Sequence, residues 1–166
     1  ISHQVVMQTE FTEDQEQFRE VVARFMQAKS PPHEVRRLMA ADRGYDSKVW
    51  QQMSGEIGLT GVHFPEEFGG FGYGPVELGI VSEEMGRYLY CGPFFASSVM
   101  AGYALLLAGS DSAKQSLLTG IASGSVIATL VLDDLNSPSS VGQRLMANAS
   151  SLSGRAPLVL DAHNAE

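Results

Sequence analysis

The residues that could do chemistry in this sequence are few and widely spaced. Glu66 and Glu67 form a carboxylate pair, the side chains that general acid–base work needs, but adjacent loop residues point apart and create no shared site. His63 stands between Val62 and Phe64, where an imidazole either touches a substrate or serves as a hydrogen-bonded structural group. His3, His33 and His163 make no metal-ligand spacing with Cys91. Cys91 sits at a helix end with no neighbouring His to activate it, and reads as a packing thiol. Gly61, Gly69, Gly70, Gly72 and Gly74 crowd one stretch, yet no Gly-x-x-x-x-Gly-Lys-Ser/Thr pattern occurs and no strand precedes it, so the stretch is not a phosphate cradle. Residue chemistry alone therefore assigns no catalytic group and no metal site.

The elements that would position these residues follow from periodicity and caps. Thr12 with Gln15 makes a capping box, and Phe18, Val21, Val22, Phe25 and Met26 recur at helical spacing up to about Ala28. Pro31-Pro32 breaks that helix and opens a short second one through Met39. Ser47 is expected to cap a third helix whose stripe is Val49, Trp50, Met53 and Ile57, ended by Gly58. Leu59 to Gly74 is too rich in glycine for helix and too rich in Val62, Phe64, Phe68, Phe71 and Tyr73 for a solvated loop, so it reads as a connector packed onto something. Pro75 starts a fourth helix, with Val76, Ile80, Val81, Met85, Tyr88 and Leu89 inward and Glu83, Glu84 and Arg87 outward. A fifth, about Phe95 to Leu107, is apolar almost all round and is expected to be central; Ser110 or Asp111 caps a sixth that ends before Gly124.

At Ser125 the period changes. Val126 to Leu132 is a β-branched run read as a buried strand, a weaker strand covers about Gln143 to Ala149, and Leu158 to Leu160 gives a third. Three strands cannot cover both sheet edges, so the sequence is expected to stop inside a β domain and to be a piece of something longer. The fold class is α+β, with an all-α domain over residues 1–124 and an incomplete β domain over 125–166.

Composition bounds the function classes. The chain has 166 residues, 44% hydrophobic and 18% charged, which fits a globular protein. A net charge of −8 argues against a nucleic-acid surface, since phosphates would be repelled. The longest apolar run, Val99 to Ala108, is too short for a membrane span. The single cysteine excludes an internal disulfide and suits a reducing compartment, with the cytoplasm as the expected location.

Three stretches in this order resemble the acyl-CoA dehydrogenase family: Phe11-Thr12-Glu13-Asp14-Gln15; Trp50 through Gly58-Leu59-Thr60-Gly61-Val62 into Pro65-Glu66-Glu67-Phe68-Gly69-Gly70-Phe71-Gly72; and Leu107-Ala108-Gly109-Ser110-Asp111. The second is the most specific, because it fixes a helix end, a hydrophobic turn and a Pro-Glu-Glu-aromatic-Gly-Gly connector together. The resemblance implies a six-helix domain followed by the first strands of a middle β-barrel domain. It implies α,β-dehydrogenation of an acyl-CoA thioester with FAD as hydride acceptor, in fatty acid or steroid side-chain catabolism. It also implies electron-transfer flavoprotein or a similar acceptor as partner, and a homo- or heterotetramer. Family members take their catalytic Glu from a C-terminal helical domain beyond this sequence, so no catalytic residue is named. Acyl-chain contacts fall on Ala96, Val99, Met100 and Tyr103 of the fifth helix. Cofactor contacts fall on Val131, Leu132, Ser139, Leu158 and Leu160. Leu132 and Leu160 replace threonines that would meet the flavin's polar edge, and each buried group left unsatisfied costs about 1–3 kcal/mol. The alternative implied is a non-catalytic, flavin-degenerate subunit that completes the site of a homologous partner, as in the bacterial heteromeric branch that Tyr90-Cys91-Gly92-Pro93 and the Leu160–Ala165 stretch resemble.

Overall fold

The computed structural model describes residues 10–131, 145–148, 150–154, 156 and 158–165. Six α-helices lie among them: α1 (Glu13–Lys29), α2 (Pro32–Met39), α3 (Ser47–Gln51), α4 (Pro75–Arg87), α5 (Gly102–Ala108) and α6 (Asp111–Ala122). α1 opens on the expected capping box, in which the Thr12 hydroxyl accepts from the Gln15 amide and the Gln15 side chain accepts from the Thr12 amide. α3 is capped by Asp46 rather than Ser47: Asp46 Oδ1 accepts from the Lys48 and Val49 amides at 2.9 and 3.2 Å, and Ser47 is the first helical residue. These bonds hold the Asp46 carboxyl below its ordinary pKa, with the Val49 amide the largest cause.

Two helices depart from the regular form. α3 runs into a π-helical turn, Gln52–Glu56, and α5 is preceded by another, Phe95–Ala101, so the expected fifth helix is a composite. It is also less central than expected. Ala96, Ser97, Ser98 and Ala101 are buried, but Phe95 is 59% and Leu107 83% exposed, so only one side is covered.

α1 packs along α4. Val22, Met26, Trp50, Met53, Leu59, Val62, Val81 and Phe94 belong to one core cluster, and Phe64, Phe68, Leu118 and Ile121 to a second. The Trp50 indole N–H donates to the Gly124 carbonyl at 2.9 Å, tying α3 to the turn after α6. On α4 the expected inward set holds for Ile80, Val81 and Met85, fails for Val76 and Leu89, which are exposed, and leaves Tyr88 half-buried. Glu84, expected outward, is fully buried. It lies on the same stripe as Ile80 and Val81, and Arg19 of α1 meets it there at 3.3 Å, with Arg87 at 3.5 Å. Its charge is thus carried inward by ion pairing across the α1–α4 contact.

α4 ends in a Schellman turn: the Tyr90 amide donates to the Met85 carbonyl at 2.9 Å and the Leu89 amide to the Gly86 carbonyl at 3.1 Å. The residue after the C-cap is Leu89, at φ 51°.

The β portion is the larger correction. Residues 126–131 form no helix and pair with no strand among the described residues. The described ladder is one antiparallel pair, β1 (Leu145–Ala147) with β2 (Leu152–Gly154), in which Met146 stands opposite Ser153. β1 falls inside the weak second strand expected. Leu158–Leu160 is not a strand: Leu158 has φ 54°, and a turn covers residues 160–164. The turn docks on the loop before α3, where the Asn164 side chain donates to the Arg43 carbonyl at 3.0 Å.

Candidate functional site

The connector between α3 and α4 sets the position of the composite fifth helix. Gly58 enters it left-handed at φ 72° and is followed by 3₁₀ turns at Leu59–Gly61 and Glu66–Phe68. The Gly61 carbonyl accepts from both the Phe64 and Phe71 amides, at 3.0 and 3.3 Å; the Phe64 carbonyl accepts from Gly72 at 2.8 Å, and the Val62 carbonyl from Tyr73 at 3.1 Å. The segment therefore folds back on itself through its own backbone, and Gly70 sits where a Cβ would stand 2.1 Å from the Phe64 carbonyl oxygen.

Phe64 and His63 project from this connector onto the fifth helix. Gly102 is what admits them, because a Cβ there would stand 2.6 Å from the Phe64 ring. The His63 ring meets Phe64 edge-on at 4.6 Å and tilts against Tyr103 at 4.7 Å between centroids. Burial lowers the pKa of His63 to about 4, opposed in part by the nearby Ser98 carbonyl, so the imidazole is neutral at neutral pH. Neither ring nitrogen makes a well-formed hydrogen bond, and the buried Ser98 hydroxyl has no partner either. The next hydroxyl, Ser97 Oγ, accepts from the Ala128 amide at 3.1 Å and fixes the chain leaving α6 against the π turn.

Of the four residues expected to meet an acyl chain, Val99, Met100 and Tyr103 are half-buried, while Ala96 is 1% exposed. All but Tyr103 lie in the π turn, with Ala96 on its covered side. No acid or base stands among these four. Glu66 and Glu67 are exposed on the connector, and Cys91, its thiol pushed up by burial, is not activated. Among the described residues no cluster of His, Cys, Asp or Glu could hold a metal ion, and no helix is long and apolar enough to cross a membrane.

The expected cofactor residues are not gathered into a cradle. Val131 is 37%, Leu160 52% and Leu158 98% exposed, and none offers a side-chain hydrogen bond. The Thr129 hydroxyl, which could have offered one, donates to the Leu160 carbonyl at 2.6 Å. Leu132 and Ser139 lie outside the described residues.

Two open grooves flank Leu89. One, of about 270 Å³, lies between α2 and the end of α4 and is lined by Val35, Met39, Tyr88 and Leu89 with Arg36 and Arg87. The other, of about 240 Å³, is lined by Ser82, Met85, Gly86, Leu89, Tyr90 and Phe95 among others. Sequence reasoning missed this corner because it placed Leu89 inward. The signal available was a leucine in the position after a helix C-cap, where glycine is usual.

Comparison with known proteins agrees with this architecture. The family model for the acyl-CoA dehydrogenase N-terminal domain matches residues 12–125. Acyl-CoA dehydrogenase IpdE2 of Mycobacterium tuberculosis is 38% identical over 121 residues, 73% of this chain and 37% of the relative. The probable acyl-CoA dehydrogenase YngJ of Bacillus subtilis is 31% identical over 140 residues, 82% of this chain and 36% of the relative. Among solved structures, the ChsE4-ChsE5 complex from Mycobacterium tuberculosis superposes with a TM-score of 0.76 at 25% identity, covering 92% of this chain and 42% of that one. Butyryl-CoA dehydrogenase from Megasphaera elsdenii has the same fold over 96% of this chain and 44% of its own, with a TM-score of 0.75 at 19% identity. The chain thus spans little more than a third of the length of these curated relatives.

Proposed function

The chain belongs to the acyl-CoA dehydrogenase family, and from that premise we propose that it supplies the acyl-binding side of an enzyme that α,β-dehydrogenates an acyl-CoA thioester. The observation that carries the reading is the composite fifth helix, pressed against the connector by Phe64 and Gly102, with Val99, Met100 and Tyr103 left half-buried on it. Their apolar side chains suit an acyl chain and contribute orientation rather than bond-making. Ala96, beneath them, keeps the helix slim. The base that removes the α proton is not assigned to this chain. Residues 125–166 are read as the start of a middle β-barrel domain, and cytoplasmic location, tetramer formation and electron-transfer flavoprotein as acceptor belong to the same reading.

FAD is the hydride acceptor this reaction requires, and the described residues expected to hold it do not fit it. Val131, Leu158 and Leu160 are exposed aliphatic side chains without donors, and the Thr129 hydroxyl is committed to Leu160. No step is therefore derived through the flavin. That mismatch favours a second reading, a flavin-degenerate subunit that completes the site of a homologous partner.

Calorimetric titration of the chain with an acyl-CoA and with free CoA tests the first reading. Saturable binding that prefers the acyl-CoA and weakens at least about tenfold in Met100→Asp is expected; an acyl-CoA that binds no better than CoA overturns it. Equilibrium dialysis against FAD separates the two readings, because stoichiometric FAD retention by the chain alone would sink the second.

A further inference from the structure

Among the described residues, the buried serine and threonine hydroxyls are matched with one exception. Those of Ser30, Ser54 and Thr60 donate to the carbonyls of Tyr88, Trp50 and Ala122, and that of Ser97 accepts from the Ala128 amide. Ser98 is fully buried too, yet its hydroxyl has no hydrogen-bond partner. A helical serine ordinarily turns its hydroxyl back to the carbonyl one turn earlier, as Ser54 does. His63 reaches the same place from the connector: its ring lies beside the Ser98 carbonyl, and a Cβ on Gly102 would stand 3.7 Å from its Nε2. It is 8% exposed, and neither ring nitrogen is bonded. Two buried polar side chains are thus left unmatched side by side, where most buried polar groups find partners.

We infer that His63 and Ser98 are specificity-determining residues that receive a hydroxyl carried on the acyl chain, so that the substrate class is a hydroxylated acyl-CoA rather than a plain hydrocarbon one. The inference rests on the acyl-binding reading given above and narrows it. The pair adjoins the row expected to meet an acyl chain, since Ser98 directly precedes Val99 and the His63 ring lies 4.7 Å from that of Tyr103. Tyr103 is half-buried, and it is the side chain that turns aside for the hydroxyl to enter, a rotamer change of the kind common on binding. The pattern of donors and acceptors selects a hydroxyl. The Ser98 carbonyl can only accept, so the ring nitrogen facing it carries the hydrogen, and the other nitrogen of this neutral imidazole is an acceptor. A hydroxyl donates to that nitrogen while accepting from Ser98 Oγ; a keto oxygen takes only the second bond, and a methylene takes neither. Such discrimination is steep, because a chain without the oxygen leaves both buried groups unpaired.

Calorimetric titration of the whole chain tests this, with free CoA, decanoyl-CoA, decanoyl-CoAs hydroxylated at successive carbons, and the matching oxo compounds as ligands. At one position the hydroxyl is expected to tighten binding at least about tenfold over the plain chain, with the oxo compound between them. Ser98→Ala and His63→Phe should each cut that advantage at least about fivefold while leaving decanoyl-CoA within about twofold; a purely structural role would weaken every ligand alike. Ser98→Ala removes an unmatched buried hydroxyl, so its thermal midpoint should hold or rise, and His63→Phe keeps a ring against Phe64 and Tyr103. If decanoyl-CoA binds better than CoA but no hydroxyl adds to it, the inference is overturned and the acyl-binding reading stands. A hydroxyl advantage that both variants retain, or variants that weaken all ligands equally, overturns it as well. If no acyl-CoA, plain or hydroxylated, binds better than CoA, both fall together.

Discussion

His63 is held neutral inside the protein, with a pKa near 4 where free histidine titrates at 6.5. Between those two values the unfolded chain binds a proton at this position and the folded chain does not. His63 therefore subtracts stability as pH falls from about 6.5 toward 4, and subtracts nothing above that window. Urea unfolding at pH 7.5 and pH 5 should give a lower free energy at pH 5, and His63→Gln should reduce the difference; an unchanged difference would mean that the imidazole is protonated in the folded state. Glu84 is the other buried ionisable residue with a clear consequence. Replacing it by Ala leaves Arg19, 16% exposed, with Glu83 at 3.0 Å as its remaining close carboxylate, and should cost about 2 kcal/mol in denaturant unfolding. A cost below about 1 kcal/mol, the range of surface pairs, would show that Arg19 turns out to solvent instead. Neither residue was fully legible in the sequence. His63 could be read as a structural histidine from its apolar neighbours, but Glu84 was placed outward by residue type, although its spacing from Ile80 and Val81 put it on the buried stripe. The partner that made burial possible, Arg19, comes from another helix and leaves no local mark.

At the scale of elements, local chemistry was the most readable. The Thr12–Gln15 box, Pro32 and Pro75 in first turns, and Gly58 at a left-handed exit are decided within four residues, and the structure has them as expected. The strands were not readable in the same way. A β-branched run such as Val126 to Val131 prefers extended backbone, but becomes a strand only when another chain segment supplies its ladder, and no such segment lies among the described residues. The π turn in the fifth helix was equally hidden, since the apolar run from Phe95 to Leu107 has the composition of a regular helix as much as of a wider one. In the connector, by contrast, five glycines marked a backbone that must approach itself. Gly70→Ala tests that reading. Its Cβ would stand 2.1 Å from the Phe64 carbonyl oxygen and 2.5 Å from that of Gly61. Backbone cannot swing aside as a side chain can, so a loss of about 3 kcal/mol, read as a lower thermal midpoint, is expected. Gly44→Ala, with nothing within 4 Å at φ 67°, should cost only about 1 kcal/mol of strain.

For the molecule as a whole, the connector matters more than its irregular backbone suggests. Leu59 and Val62 belong to the core cluster shared by α1, α3 and α4, while Phe64 and Phe68 belong to the cluster under α6. One short segment therefore contributes side chains to both, and neither cluster can be exposed without pulling on it. The amides of Phe71, Gly72 and Tyr73, which donate to carbonyls eight to eleven residues back along the same segment, should accordingly be released to solvent only when the whole domain opens. In deuterium oxide they should exchange as slowly as amides in the middle of α1 and with the same dependence on denaturant. Exchange at the rate of an ordinary surface loop would instead make the connector a separately melting unit. If the slow limit is found, the least regular stretch of this chain is also its cooperative hinge-pin, and the place where an inserted residue would be tolerated least.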